Sequence, residues 1–317
     1  MGAVSFGFLY APPVARLAAE LRARRSALFE TTPIAVSIPT STASSTSTST
    51  LRRSHQGRVG ALLALLLLTA WALTLHHGLF VHQWGLASIG WAAAVVVFMC
   101  WLDVGLFIVA HDAMHGSLVP HHARLNSALG RLCMALYAGF TLGRFKPRHF
   151  EHHRHPGTAN DPDFHAQAKH FWPWYVSFMR RYFGWREALG LLVLFTVLSV
   201  VLRAPVLHVL VFWALPALLS SVQLFAFGTW LPHRAGPVPF VDHHHARSNP
   251  FGWCVSLLTC FHFGYHHEHH THPHEPWWRL PSVRGSVHPK SHQQPHGSRP
   301  RATSGTTPRA TPQKTPP

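Results

Sequence analysis

The sequence predicts an all-α integral membrane protein, with about four transmembrane helices and a histidine-rich cap on their cytoplasmic side. Three observations predict it. Hydrophobic residues make up 47% of the 317 and charged residues only 12%, about half the charge of an ordinary soluble domain. The apolar residues fall into long uncharged runs, as a bilayer requires of a helix that satisfies its own backbone. Histidines gather in short, regularly spaced clusters beside and between those runs.

Residues 1–58 form a basic leader. PPVARLAAELRARRSALF (12–29) has amphipathic spacing, with Val14, Leu17, Leu21 and Leu28 near one face, and a Ser/Thr tract, SIPTSTASSTSTST, follows. With only Glu20 and Glu30 acidic, this composition is that of a transit peptide or of a disordered leader. The first span is 59–76. The second runs from Trp84 to Ala110 and is interrupted only by Asp103, an acid that fits either a site or helix packing. The third is 188–202 and the fourth 205–227, joined as a hairpin. LCMALYAGF (132–140) and WCVSLLTCFHF (253–263) are too short to cross and are expected in the interface or re-entering. Residues 59–284 are thus the catalytic domain, and 285–317 a basic, Pro/Ser/Thr-rich tail expected to be disordered. His288, His292 and His296 in that tail are expected not to be ligands.

Orientation follows from charge. Arg52, Arg53 and Arg58 precede the first span, Arg124, Arg131, Arg144, Lys146, Arg148, Arg180, Arg181 and Arg186 lie between the second and third, and Arg234, Arg247, Arg279 and Arg284 follow the fourth. The two opposite turns hold only Arg203. Both termini and the middle segment are therefore expected on the cytoplasmic or stromal side, in a bacterial inner membrane or a plastid membrane. A net charge of +16 raises nucleic acid as a partner, but the basic residues sit in loops and tails and no nucleic-acid-binding signature is present. Cys100, Cys133, Cys254 and Cys260 lie in apolar stretches without a Cys-x-x-Cys, so they read as small core residues of a reducing compartment.

The histidine clusters carry the chemistry. HDAMH places His111 and His115 four apart, while HFEHH and HHEHH place His149, His152, His153 and His266, His269, His270 at i, i+3 and i+4. Such residues share a helix face, so each cluster is expected to aim its rings at one point. TWLPHR adds His233 just past the fourth span. These nine imidazoles exceed the four ligands of one zinc and suit two metal ions with positions left open. Imidazole alone leaves zinc, copper, iron and nickel open, and a membrane setting with an apolar substrate favours iron and O2. Asp112, Glu151 and Glu268 inside the clusters, with Asp161 and Asp163 in NDPDFH, are expected to hold the rings' second nitrogens. His76, His77 and His82 fall on the opposite side, His208 lies inside the fourth span, and His243 to His245 read as a loop near the site. His262, four before His266, is a weaker ligand candidate, and His155, His267 and His272 are weaker still.

At these residues the sequence resembles the β-carotene ketolases, or carotenoid 4-ketolases, within the membrane fatty-acid desaturase and hydroxylase superfamily. The matching phrases are GLFIVAHDAMHGSL, LYAGF, HHRHPGTANDPDFH, YFGWRE, LFAFGTWLPHR, SLLTCFHFGYHHEHH and PWWRLP, spanning roughly 84–284. The histidine boxes are shared across that superfamily, whereas DAMHG, GTWLPHR and PWWRLP point to the ketolase branch. Two departures stand out: His245 replaces an asparagine common in the family, and 261–266 is one residue shorter than in some bacterial relatives. The resemblance implies a desaturase-like fold and a non-haem di-iron site using O2. It implies oxidation of the C4 methylene of β-ionone rings to a ketone by two hydroxylations and loss of water. Substrates would be β-carotene, giving echinenone and canthaxanthin, and zeaxanthin, giving astaxanthin. Electrons would come from a soluble donor such as reduced ferredoxin, and the lipid bilayer would surround the spans. A carotenoid 3-hydroxylase or a fatty-acid desaturase shares the scaffold. A His-rich metal-handling membrane protein is disfavoured, because the spans offer only Asp103 and His208 as an ionisable path.

Overall fold

The computed structural model describes residues 43–166 and 170–287, with side chains from Ser54 to Arg284, and every described element is helical. The amphipathic leader segment and the tail histidines lie outside the described residues. Helix α1, Ala43–His76, runs on through a π-helical turn, His77–Val81. It therefore starts well before residue 59, and the stretch apolar enough to cross a membrane is Ser54–Val81. A 3-10 turn, Leu86–Ser88, leads into α2, Ile89–His115. That helix runs five residues beyond the predicted Ala110, so the first histidine pair lies on it. Gly116, at φ 73, ends it in the left-handed conformation that glycine adopts without strain.

Two amphipathic helices follow, α3 (Ala123–Ala138) and α4 (Leu142–Arg154). Asn126 ties α3 to the end of α2 by donating to the Ala113 carbonyl at 2.8 Å. Next, α5 (Phe171–Tyr182) and α6 (Trp185–Thr196, continued by a π-helical turn to Val201) are bent by 84° against each other, a broken span or a re-entrant pair. The sequence reading found only the apolar half of this pair. Glu187 fastens the bend, accepting from the Gly184 amide at 2.9 Å and from Arg144 on α4 at 2.5 Å. Helix α7, Val206–His233, extends past residue 227, so His233 closes the helix instead of following it. It contains two π-helical turns, Leu210–Ala214 and Ala226–Trp230, each ending two residues before a proline, Pro216 and Pro232. Proline has no N–H for the residue four before it and crowds that carbonyl, which widens the turn. The short helices α8 (Trp253–Cys260), α9 (His266–Thr271) and α10 (Leu280–Val287) complete the chain.

Among the described residues, three helices are long and apolar enough to cross a membrane, and the bent pair makes a fourth candidate. Their outer surfaces expose Leu62, Leu66, Val97, Leu192, Val200 and Leu218, a burden of apolar area that water does not tolerate and lipid does. Between them Trp71 donates its indole N–H to Asp103 at 2.8 Å, so this acid joins α1 to α2. Cys100 on α2 contacts Gln223 on α7 at 3.3 Å, and Gln223 donates to the Thr259 carbonyl of α8 at 2.5 Å. Cys100, Cys133 and Cys260 are buried thiols, while Cys254 is exposed. The C-terminal ends of α2 and α7 meet at one end of the molecule. At the other, Trp91 reaches His77 at 3.0 Å and His208 reaches the Gly78 carbonyl at 2.9 Å.

Candidate metal centre

All nine histidines singled out by their spacing come together where α2, α4, α7 and α9 meet. They form two groups, His111, His115, His149, His153 and His269, and His152, His233, His266 and His270; within each, one ligand atom per residue lies within 4.8 Å of the others. The clusters do not each converge on one point, as expected, but divide. Helix α4 gives its i, i+4 pair, His149 and His153, to the first group and His152 to the second. Helix α9 does the reverse, giving His266 and His270 to the second and His269 to the first. The cause is helix geometry: i and i+4 lie about 40° apart, whereas i+3 falls on the other side of i. One helix thus serves two centres.

The rings face each other through Nε2. Those atoms are 2.7 Å apart in His115 and His149, 3.0 Å in His153 and His269, 3.1 Å in His266 and His270, and 3.2 Å in His152 and His270. Where Nδ1 bonds an acceptor, it carries the proton and leaves the Nε2 lone pair inward. His152 bonds Asp161 through Nδ1 at 2.9 Å, and His233 bonds the His245 carbonyl at 2.8 Å. The Nε2 atoms of His233 and His111 are buried and without a hydrogen-bond partner. Lone pairs directed at one another in a dry site repel unless a cation lies between them. Burial first, then neighbouring imidazoles, push His149, His153, His266, His269 and His270 below the usual imidazole range, so these rings are neutral donors. His152 goes the other way. Burial lowers it, but the Asp163 and Asp161 carboxylates outweigh burial and raise it.

The five predicted acids separate. Asp161 grips His152 and is itself held by the amides of Gly157 and Asp163, each at 2.8 Å. Asp163 lies 3.9 Å from His152, accepts from Tyr182, and is pushed up to about 6 mainly by burial. Asp112 lies 3.4 Å from His111 and accepts from the Trp277 amide at 2.9 Å. Glu151 and Glu268 do not take the expected place. Each follows the first histidine of its box by two residues, about 200° round the helix, so each leaves the histidine face. Glu151 pairs with Arg154 and His155, and Glu268 is buried against Ser248.

His262 joins neither group; its ring lies among Trp253, Tyr265 and Trp277. His244, in the predicted loop beside the site, comes within 5.9 Å of His270 between ring centres. Sequence reasoning missed two features. His267 is buried and bonds Asp242 at 2.7 Å, a pairing 25 residues apart that no spacing rule reaches. The His245 carbonyl that orients His233 is backbone, which no side-chain pattern reports. His245 has φ 45, in a region where asparagine and histidine are both enriched, so the exchange noted above keeps the turn.

Beneath both groups lies an apolar cavity, part of it open to the outside. His111, His149, His152 and His266 form its polar end, and Phe107, Tyr137, Phe178, Leu224, Phe225 and Phe263 line its walls. Only His115 and His153 of the nine are partly exposed. The site thus has an apolar chamber on one side and a partly exposed edge at His115 and His153 on the other.

The sequence profile described as fatty acid desaturase matches residues 89–192 and 178–301. Among relatives, the β-carotene ketolase of Paracoccus sp. (strain PC1) is 56% identical over 189 residues, covering 59% of this chain and 76% of its own. The β-carotene 4-ketolase 3 of Haematococcus lacustris is 41% identical over 207 residues, covering 63% and 64%. The zeaxanthin 4-ketolase of Chlamydomonas reinhardtii is 35% identical over 236 residues, covering 71% and 53%.

Proposed function

The chain belongs to the fatty acid desaturase family, among the β-carotene ketolases, and from that membership we propose that it is a membrane oxygenase converting the C4 methylene of β-ionone rings to a ketone. The observation that carries this reading is the apolar cavity capped by imidazoles of both histidine groups. A lipid-soluble ring fits such a chamber, and its C–H bond offers acid–base residues no leaving group or carbonyl to work on.

The residues fit a pair of metal ions. Nine converging imidazoles, with Nε2 atoms turned toward one another and buried Nε2 atoms without hydrogen-bond partners at His111 and His233, are a donor set suited to cations. His111, His115, His149, His153 and His269 would hold one ion and His152, His233, His266 and His270 the other. We assign iron, because O2-dependent oxidation of a hydrocarbon C–H bond needs a redox-active metal. When bound, the pair supplies O2 activation. The chain supplies the rest. Asp161 and the His245 carbonyl fix two ring tautomers, the aromatic walls exclude water, and the cavity presents one edge of the ring to the histidines.

Each hydroxylation consumes one O2, two electrons and two protons and releases one water. After the second, the geminal diol loses water and leaves the ketone. Four electrons are therefore needed per ring, from a soluble donor such as reduced ferredoxin. Density of basic residues beside the histidine end supports a cytoplasmic or stromal placement of that end, with the leader 1–58 and the tail 285–317 outside the catalytic domain. β-Carotene and 3-hydroxylated rings such as those of zeaxanthin are the substrate class.

Expression in bacteria that make β-carotene, followed by chromatography and mass analysis of the pigment, tests the reading. Each oxidised ring should gain one oxygen and lose two hydrogens, and the purified protein should hold about two irons. Unchanged pigment, a 3-hydroxylated product alone, or stoichiometric zinc in active protein would overturn it.

A further inference from the structure

One aromatic ring lining the cavity borders both histidine groups. Phe263 lines the cavity, and its centroid is 4.6 Å from that of His111, 4.9 Å from His266 and 5.4 Å from His269. His111 and His269 belong to one group and His266 to the other, so this side chain borders both.

Its position is fixed from two directions. Phe261 and His262, just before it, have φ 47 and 61. Two successive non-glycine residues in the left-handed region are a strained arrangement that surrounding structure must hold in place. The holding contacts are visible. The His262 amide bonds the Ser256 carbonyl at 3.0 Å, the Phe263 amide bonds Cys260 at 2.8 Å, and Asn249 bonds the Gly264 carbonyl at 2.8 Å. The two phenylalanines then seat in glycine notches on different helices. A Cβ on Gly105 of α2 would lie 2.8 Å from the Phe261 ring, and one on Gly228 of α7 would lie 2.7 Å from the Phe263 ring. Gly228 sits in the π-helical turn Ala226–Trp230 and also lines the cavity. The ring of Phe263 therefore has one seat, backed by α7 and edged by histidines.

On the reading that this cavity takes a β-ionone ring, we infer that Phe263, seated against Gly228, sets how far the ring advances and so selects C4 over C3. The two methylenes are one carbon–carbon bond apart, and both would pass the same histidines. C4, allylic to the ring double bond, carries the weaker C–H bond, and a hard stop near the reacting end adds positional selection, since a displacement of about 1 Å costs on the order of a hundredfold in rate. The histidines must hold their own geometry and Asp163 is bound to Tyr182, while Phe263 is apolar, rigidly placed and adjacent to both groups. Removing the ring opens the end of the chamber and lets C3 reach the position of C4. Adding a methyl to Gly228 pushes the stop into the chamber and holds both methylenes short.

The experiment compares wild type, Phe263→Ala, Gly228→Ala and the double variant Gly228→Ala/Phe263→Leu in β-carotene-producing bacteria. Three quantities are read: pigment structure, iron per chain, and β-carotene retained by purified protein. Phe263→Ala should keep its iron and its bound carotene, yet carry at least a tenth of its oxidised rings as 3-hydroxy product. Gly228→Ala should keep its iron and make at least tenfold less ketone, and the double variant should regain at least half of that loss. If the wild type makes no ketone, both the proposed function and this inference fail. If it does, this inference alone falls under any of four results. Phe263→Ala gives only the C4 ketone at wild-type yield; it loses iron; it keeps iron and gives no oxidised pigment; or the double variant is no better than Gly228→Ala.

Discussion

A buried imidazole is aimed best when its second nitrogen is occupied, and the nine differ in whether this is met: the Nδ1 atoms of His266 and His270 have no hydrogen-bond partner. His152 has the strongest support, a carboxylate at 2.9 Å that is itself pinned by two amides. Asp161→Asn keeps the size of the side chain but removes the charge that fixes the Nδ1 proton. It should lower metal affinity or activity about 10- to 100-fold, whereas Glu151→Gln, whose partners are Arg154 and His155, should change neither by more than about twofold. Metal content and ketone yield of the two variants check this, and equal losses would show that Glu151 reaches the site. The ligand candidates were legible in the sequence because i, i+3 and i+4 spacing is a property of the helix itself. Which of the divided rings share a group was not, since that depends on α4 and α9 facing each other. The glutamates misled for a related reason: adjacency along the chain is not adjacency round a helix.

At the level of elements, the ligands are only as well placed as the helices that carry them. Helix α1 holds none of the nine, yet it touches the turn that ends the His111–His115 helix. Gln56 donates to the Ser117 carbonyl at 2.7 Å, and a Cβ on Gly60 would come within 1.9 Å of the Leu118 carbonyl oxygen. That approach is open only to glycine, and the obstacle is backbone, which cannot swing aside. Gly60→Ala should therefore separate α1 from the end of α2 and destabilise the protein by about 1–3 kcal/mol. The control is Gly90→Ala on α2, where an added methyl meets nothing and helix propensity favours alanine. Thermal unfolding in detergent distinguishes them, with Gly60→Ala falling and Gly90→Ala holding or rising. Sequence reading placed the hydrophobic runs but drew three boundaries short, at 59, 110 and 227, because it stopped where polar residues began. Helices α1, α2 and α7 continue into polar sequence, since buried partners receive it at the histidine end, as Asp112 illustrates by accepting from the Trp277 amide. The bent α5–α6 pair was half missed for the opposite reason: α5 carries Trp172 outward and Tyr175 inward, an amphipathic pattern that a search for uniform runs passes over.

For the whole molecule, the histidine end couples folding to proton concentration. His149, His153, His266, His269 and His270 all titrate below their usual range because they are buried beside one another. In the unfolded chain they would titrate near 6.5. As pH falls through about 6.5, the unfolded chain takes up protons that the folded rings refuse, so stability is lost on the acid side, by roughly 1 kcal/mol per ring for each pH unit. Outside the membrane spans, two groups oppose this. His152 is raised and Asp163 is raised to about 6, so the folded state binds their protons more readily. Five rings against two leaves the balance with the five. Metal works in the same direction, because imidazole must be unprotonated to bind it. The melting temperature in detergent should therefore stay level from pH 8 to 7 and fall progressively below about 6.5, with bound metal released over the same interval. A melting temperature unchanged down to pH 5 would mean that the rings are not held neutral by burial. The chamber beneath them would then be wet, and a water-filled chamber is no place to oxidise a hydrocarbon ring.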